Sequence, residues 1–383
     1  MSTEIIKTIL LLNPVYITLF WAIVLGIKNR SRNFPKVFLG VFMFVAFLLY
    51  LSHFFYFSNL LHIYRYLDAL YVWASLLVYP LYHIYIRLLT VDKKFSFKKH
   101  SIFLLLPTLV FILHLIGMFF MNTGQHIDFL QNVLYGKHEA IGIQKHMLWM
   151  HYTYRVVFIA QVFYFLYSNF KLIIENKKNI KDFYSNTKTR SLYWVQIFNI
   201  SLAVTSIASI IVAILGREKF STNTLSLVFP SVIFSVMLFL IGLIGNEQDT
   251  VHTEEPAKEP ERPTGSTENI SATGLKNIMD NLFENEKIFK NHDLKIWDLS
   301  KMLGTNRTYV SKLINSEYNR NFCNHVNYYR VQYTKNLIQK NPTISNDQIA
   351  ELSGFGSQNS LHRAFQSLEG MTLKQYRKMI NED

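Results

Sequence analysis

Five polar positions in one short stretch of this sequence recur, with similar chemistry, 51 residues further on. Arg307, Thr308, Ser311, Lys312 and Asn315 align with Gln358, Asn359, His362, Arg363 and Gln366. All carry hydrogen-bond donors, and neither set contains a carboxylate. Side chains of these types reach phosphate oxygens and the base edges exposed in the major groove of a DNA duplex. A polar face turned to water is the plainer explanation of one such set. It is a poorer explanation of two sets at a fixed offset.

The elements that must position these residues are helices. "LKIWDLSKMLG" reads as a support helix with Ile296, Leu299, Met302 and Leu303 on one side, and Gly304 makes the turn. "NRTYVSKLIN" follows, with Asn306 as its N-cap. In the second unit "SNDQIAELSG" has Ser345 as N-cap and Ile349 and Leu352 inward. Gly354, Phe355 and Gly356 turn the chain, and "SQNSLHRAFQSL" starts from Ser357. Val310, Leu313 and Ile314 face the core in one reading helix, as Leu361, Ala364 and Phe365 do in the other. Between the units, Phe322–Gln339 is expected to form a single helix about 27 Å long. Such a strut suits two reading helices about one DNA turn apart, roughly 34 Å.

Residues 290–380 resemble the DNA-binding domain of AraC/XylS-type bacterial transcription regulators. The resemblance rests on "IAELSGFGSQNSLHRAF", "GMTLKQYR" and "YVSKLI", with Gly354, Phe355, Arg363, Ala364, Phe365, Gly370, Tyr376 and Arg377 in characteristic places. Arg330, Leu337 and Ile338 on the connecting helix also fit. Leu373 stands where the family usually has proline, and Asn319 where glycine is usual. Asn tolerates left-handed geometry, and the Leu373 departure bears only on how the last helix starts. The resemblance implies sequence-specific binding to promoter DNA and control of transcription initiation, with RNA polymerase as a candidate partner. It implies nothing about the first 245 residues.

Those residues have another character. Of 383 residues half are apolar and 17% charged, against about a quarter charged in ordinary soluble domains. Residues 1–245 hold 22 Lys and Arg but only 8 Asp and Glu. A bilayer-spanning helix needs about 20 mostly apolar residues. Seven stretches qualify, near Thr8–Ile27, Val37–Phe57, Leu70–Leu89, Ser101–Met121, Met147–Phe170, Trp194–Leu215 and Thr224–Gly245, and none contains an acid. The first is not read as a cleaved leader, because its flank is barely basic and no small-x-small site follows. Membrane lipid is therefore an expected partner.

Loop charge sets the expected orientation. The first, third and fifth loops carry 14 Lys and Arg, and the N-terminus with the remaining loops carries 6. The N-terminus is thus expected outside and the C-terminal domain in the cytoplasm, at a bacterial inner membrane. Residues 246–274 hold 7 acids and 2 basic residues with almost nothing apolar, and read as a disordered tether reaching about 30 Å. The expected architecture is all-α: a seven-helix transmembrane bundle over 1–245, the linker, and an all-helical domain with two helix-turn-helix units over 275–383.

Polar groups inside spans mark candidate sensing residues. Arg155 sits with His151 one turn earlier on the same face, while His53 and His114 fall in the outer halves of their helices. A pocket for an anionic or polar ligand is the functional reading. Interfacial contacts, or a pair between Arg155 and Asp68, are the structural one. The three histidines lack the cysteine or acidic partners of a usual metal site, and Cys323 is the single cysteine, so no metal and no other cofactor is expected. No H-E-x-x-H, G-x-S-x-G or phosphate-loop motif occurs, and no enzyme activity is expected. A sensor controlling a DNA reader through an unknown effector is favoured, with a homodimer as one means of control. The alternative is a transporter or membrane enzyme with a fused regulatory domain.

Overall fold

The structure is a computed structural model, described over residues 2–28, 34–92, 94–186, 193–215, 224–247 and 272–382. It is all-helical; among the described residues no strand forms, and Tyr184 and Lys295 make an isolated antiparallel bridge. Two compact units divide the chain: Met1–Ile174 with Tyr193–His252, and Glu175–Leu192 with Thr253–Asp383. The expected linker lies almost wholly outside the described residues.

The first unit contains α1 (Ser2–Lys28), α2 (Phe34–Phe57), α3 (Leu61–Thr90), α4 (Phe97–His100), α5 (Ile102–Phe119) and α6 (Thr123–Gln131). It also contains most of α7 (Ile143–Phe183), then α8 (Tyr193–Leu215) and α9 (Thr224–Glu247). Among the described residues α1, α2, α3, α5, α7 and α9 are long and apolar enough to cross a membrane, and α8 adds a shorter apolar stretch, Asn199–Ile211. α1 packs on α2 and α9, α2 on α3, and α3 on α5. Small residues let these helices approach closely. A Cβ on Gly242 of α9 would fall 2.2 Å from the Trp21 ring of α1.

Two boundaries differ from the sequence expectation. α3 opens at Leu61, well before Leu70, and so carries Asp68, which is 4% exposed. Tyr64 Oη donates to its Oδ1 at 2.9 Å, while His114 Nε2 and His126 Nε2 lie 3.0 and 3.4 Å from Oδ2. An apolar window stops at a carboxylate, but the helix continues because its neighbours satisfy the charge. Similarly, α7 runs 41 residues, past its apolar segment, and ends at Phe183.

Where α3 ends, Asp92 gathers Arg87 Nε at 2.8 Å, His100 Nε2 at 3.0 Å and the Lys99 ammonium. Burial raises the pKa of this carboxyl, yet the bonds from Lys99, Arg87 and His100 outweigh it and bring it down to about 2.

The second unit contains the end of α7 and then α10 (Ala272–Glu284), α11 (Ile296–Met302), α12 (Arg307–Tyr318), α13 (Phe322–Lys340), α14 (Asn346–Leu352), α15 (Gln358–Glu369) and α16 (Leu373–Glu382). α13 serves two cores. Phe322 and Val326 in its first half pack with Leu299, Val310 and Ile314, whereas Val331 and Ile338 in its second half pack with Ile349, Leu361 and Phe365.

Candidate nucleic-acid interface and buried cavity

Local capping explains why the two helix pairs form where they do. Asn306 Oδ1 accepts from Tyr309 N at 2.8 Å and starts α12; Ser357 Oγ accepts from Ser360 N at 3.3 Å and starts α15. Ser345 and Gln348 close a capping box on α14. α12 ends on Asn319 at φ +50°, and α15 on Gly370 at φ +71°. α16 starts at Leu373 without a proline, because Thr372 and Gln375 cap it reciprocally and Leu373 itself is buried.

Val310, Leu313, Ile314, Leu361 and Phe365 are buried, and Ala364 is half-buried. Two expected core residues are not: Met302 is 50% exposed and Leu352 47%. They occupy the same last position of the two support helices, where the chain is already turning away. The reading helices are offset by 51 residues and the support helices by 50. The second turn therefore has one more residue, and there Phe355 is buried, with the Arg330 guanidinium 5.6 Å from its ring.

None of the ten groove candidates is buried. Thr308, Lys312, Asn315, Asn359, Arg363 and Gln366 are exposed, and Arg307, Ser311, Gln358 and His362 are half-exposed. The acids of these helices lie near their C-terminal ends, where Glu317 meets Lys276 at 3.2 Å and Glu369 meets Lys335 at 2.9 Å. Both faces thus carry hydrogen-bond donors and amides with no carboxylate, the chemistry that suits phosphates and base edges. Arg363 Nε donates to the Asn359 carbonyl at 3.2 Å. The Arg307 guanidinium lies 4.8 Å from the ring centroid of Phe183.

Phe183 begins a segment that sequence reading placed in a loop and gave no role. Ser185 N and Oγ donate to the Leu294 carbonyl at 3.2 and 2.7 Å, and Cys323 Sγ lies 3.4 Å from the Ser185 carbonyl. Asn186 Nδ2 lies where a Cβ on Gly356 would come within 2.8 Å. The segment therefore touches the chain beside the starts of both reading helices. No pattern in the sequence marks it.

In the first unit, a cavity of about 190 Å3 is lined by residues of α1, α2, α3, α7, α8 and α9. His53, His151 and Arg155 all line it; His114 is not among the lining residues and bonds Asp68 instead. Arg155 Nε donates to His151 Nε2 at 3.1 Å. His53 lies 5.2 Å from the Tyr71 ring, and Ser75 bonds the Tyr154 hydroxyl at 2.8 Å, so these groups sit at one level. Further along the helices Phe158 meets Tyr79 edge to face at 5.8 Å, and Phe42 lies 6.0 Å from the Tyr82 ring behind the lining. The lining is mostly apolar and aromatic, with this polar group set into it. Among the described residues no group of three or more His, Cys, Asp or Glu is placed to hold a metal ion.

Comparison with family models matches residues 299–379 to a helix-turn-helix domain, which supports DNA binding of the AraC type. No curated protein matches, and no solved structure matches.

Proposed function

We propose that this protein is a membrane-anchored transcription regulator. Its second unit binds promoter DNA in the cytoplasm through the faces of α12 and α15, and its first unit sits in the inner membrane and controls that binding in response to an effector. The observation that carries the reading is the pair of acid-free donor faces on capped, repeated helices, in one chain with, among the described residues, six helices apolar enough to span a bilayer. Arg307, Lys312 and Arg363 supply phosphate and guanine contacts, and Asn315, Gln358, Asn359 and Gln366 the amides suited to adenine. Thr308, Ser311 and His362 complete the faces. The linker tethers the second unit, and RNA polymerase and a second copy of the chain are its further candidate partners.

Asp68 favours the alternative of a transporter, since intramembrane carboxylates mark ion pathways. Its oxygens are, however, bonded by Tyr64, His114 and His126, and it does not line the cavity.

Genome-wide footprinting of the intact protein tests the proposal against an Arg307→Ala, Arg363→Ala double variant. Site-specific occupancy that disappears in the variant is expected. Equal occupancy in both would overturn the residue assignment, and none in either would overturn DNA reading.

A further inference from the structure

Among the described residues that line the cavity, Arg155 is the one that carries a charge. Its Nε is bonded to His151, and among the described residues no carboxylate lies within ion-pair distance of it. A guanidinium facing inward from a spanning helix is costly without an anion. The rest of the lining makes a different demand. It is mostly apolar, with Phe42 and Ala46 of α2, Phe158 of α7 and Leu238 and Ile241 of α9, and apolar space of this kind is poorly filled by water. From His53 to Phe42 the lining follows α2 for about 16 Å. The volume is many times the roughly 10–15 Å3 that admits one water.

We propose, resting on the sensor reading above, that the cavity binds an anionic amphiphile. A singly charged headgroup, a carboxylate in the simplest case, pairs with the free Nη groups of Arg155 beside His151. An alkyl chain runs past Phe158 toward Phe42. The headgroup chemistry follows from the lone guanidinium, since a cation would be repelled and a neutral polar group would leave the charge unbalanced. The chain follows from the mostly apolar lining and the depth along α2. Free carboxylic acids and anionic phospholipids share this chemistry.

The test uses the intact protein in nanodiscs of zwitterionic lipid, with radiolabelled decanoate as probe. Saturable binding is expected, displaced poorly by decanol. Arg155→Gln should weaken it about tenfold or more, the loss typical of a charge-assisted bond, and Arg155→Lys should retain most of it. Identical elution of the variants on gel filtration, together with the Lys rescue, separates charge loss from misfolding. Mass spectrometry of material released from purified protein distinguishes a fatty acid from a phospholipid. Equal decanoate binding by wild type and Arg155→Gln, or equal displacement by decanol, overturns the ligand class. Absence of both decanoate binding and co-purified anionic lipid does so as well. DNA occupancy is footprinted in the same samples: binding that leaves occupancy unchanged supports the ligand class and overturns the sensor reading instead.

Discussion

Arg330 and Gly354 close on the same piece of backbone. Arg330 Nε donates to the Phe289 carbonyl at 2.8 Å, and a Cβ on Gly354 would come within 2.6 Å of that same oxygen and of the Lys290 carbonyl. Arg330, 1% exposed, also donates to the Asn291 carbonyl at 2.7 Å. The turn of the second helix-turn-helix is thereby pressed onto the loop that precedes the first, with α13 as the common support. Burial lowers the pKa of this guanidinium to about 10, so it stays charged at neutral pH and can serve as a fixed donor.

Gly354 and Gly304 both turn the chain at positive φ, +79° and +61°, but only Gly354 is enclosed. Gly304→Ala is therefore expected to cost about 1–2 kcal/mol, the left-handed penalty alone. Gly354→Ala adds overlap with two carbonyls and should release α15 from the core. Hydrogen exchange of α15 in the intact protein checks this: near-normal protection is expected in the first variant and strong loss in the second. Equal effects would mean that the close approach carries no weight.

His325 makes a pH prediction. It is fully buried among Phe283, Tyr318 and Tyr329, with ring centroids 4.5 to 5.3 Å away, and neither ring nitrogen has a hydrogen-bond partner among the described residues. Burial, with Arg320 nearby, pushes its pKa down to about 3 from an ordinary 6.5. Above pH 6.5 both folded and unfolded chains hold it neutral, and it adds no pH dependence. Below 6.5 the unfolded chain takes up a proton that the folded one refuses. Its share of stability then falls by about 1.4 kcal/mol per pH unit until about pH 3. His325→Phe keeps the edge-to-face ring contacts and should flatten that slope. The measurement is exchange protection of α13 at pH 7 and pH 5: a protection ratio that falls in wild type and holds in the variant is expected.

The helix-turn-helix pair was legible because its signals are local: caps, turn glycines and a fixed offset of apolar positions. Asn306, Ser345 and Ser357 cap where the sequence indicates. Met302 and Leu352 misled because periodicity counts an apolar residue as inward even in the last turn of a short helix. Asp68 was misplaced because its partners, His114 and His126, lie 46 and 58 residues away. The same holds for Phe183 and Ser185, whose contacts in α12 and beside Leu294 are more than a hundred residues distant. Long-range polar satisfaction leaves no period to read.

Phe183 and Arg307 yield a prediction about affinity. An arginine stacked on an aromatic ring is held in place by roughly 0.5–1 kcal/mol at an exposed site. DNA that recruits Arg307 must give up that contact and meet the segment beside Gly356. Phe183→Ala should therefore tighten binding of the intact protein to its own operator, by about twofold to fivefold. Titration of operator DNA by fluorescence anisotropy checks it. Weaker binding would mean that Phe183 supports the bound geometry instead of opposing it.

The offset of 51 residues makes the last prediction specific to position. Lys312 and Arg363 hold equivalent places on α12 and α15, and both are exposed. If both units enter successive major grooves, each substitution should act on its own half of the operator. Arg363→Ala should cost about 1–3 kcal/mol and relax preference at the base pairs its half-site covers, leaving the other half-site intact. Lys312, as a point charge, should act mainly on phosphate, so Lys312→Ala should reduce the salt slope by about one without altering sequence preference. Selection of binding sites from a random pool, repeated at two salt concentrations, separates the outcomes. Loss of preference spread evenly over both half-sites in Arg363→Ala would contradict independent reading by the two helices.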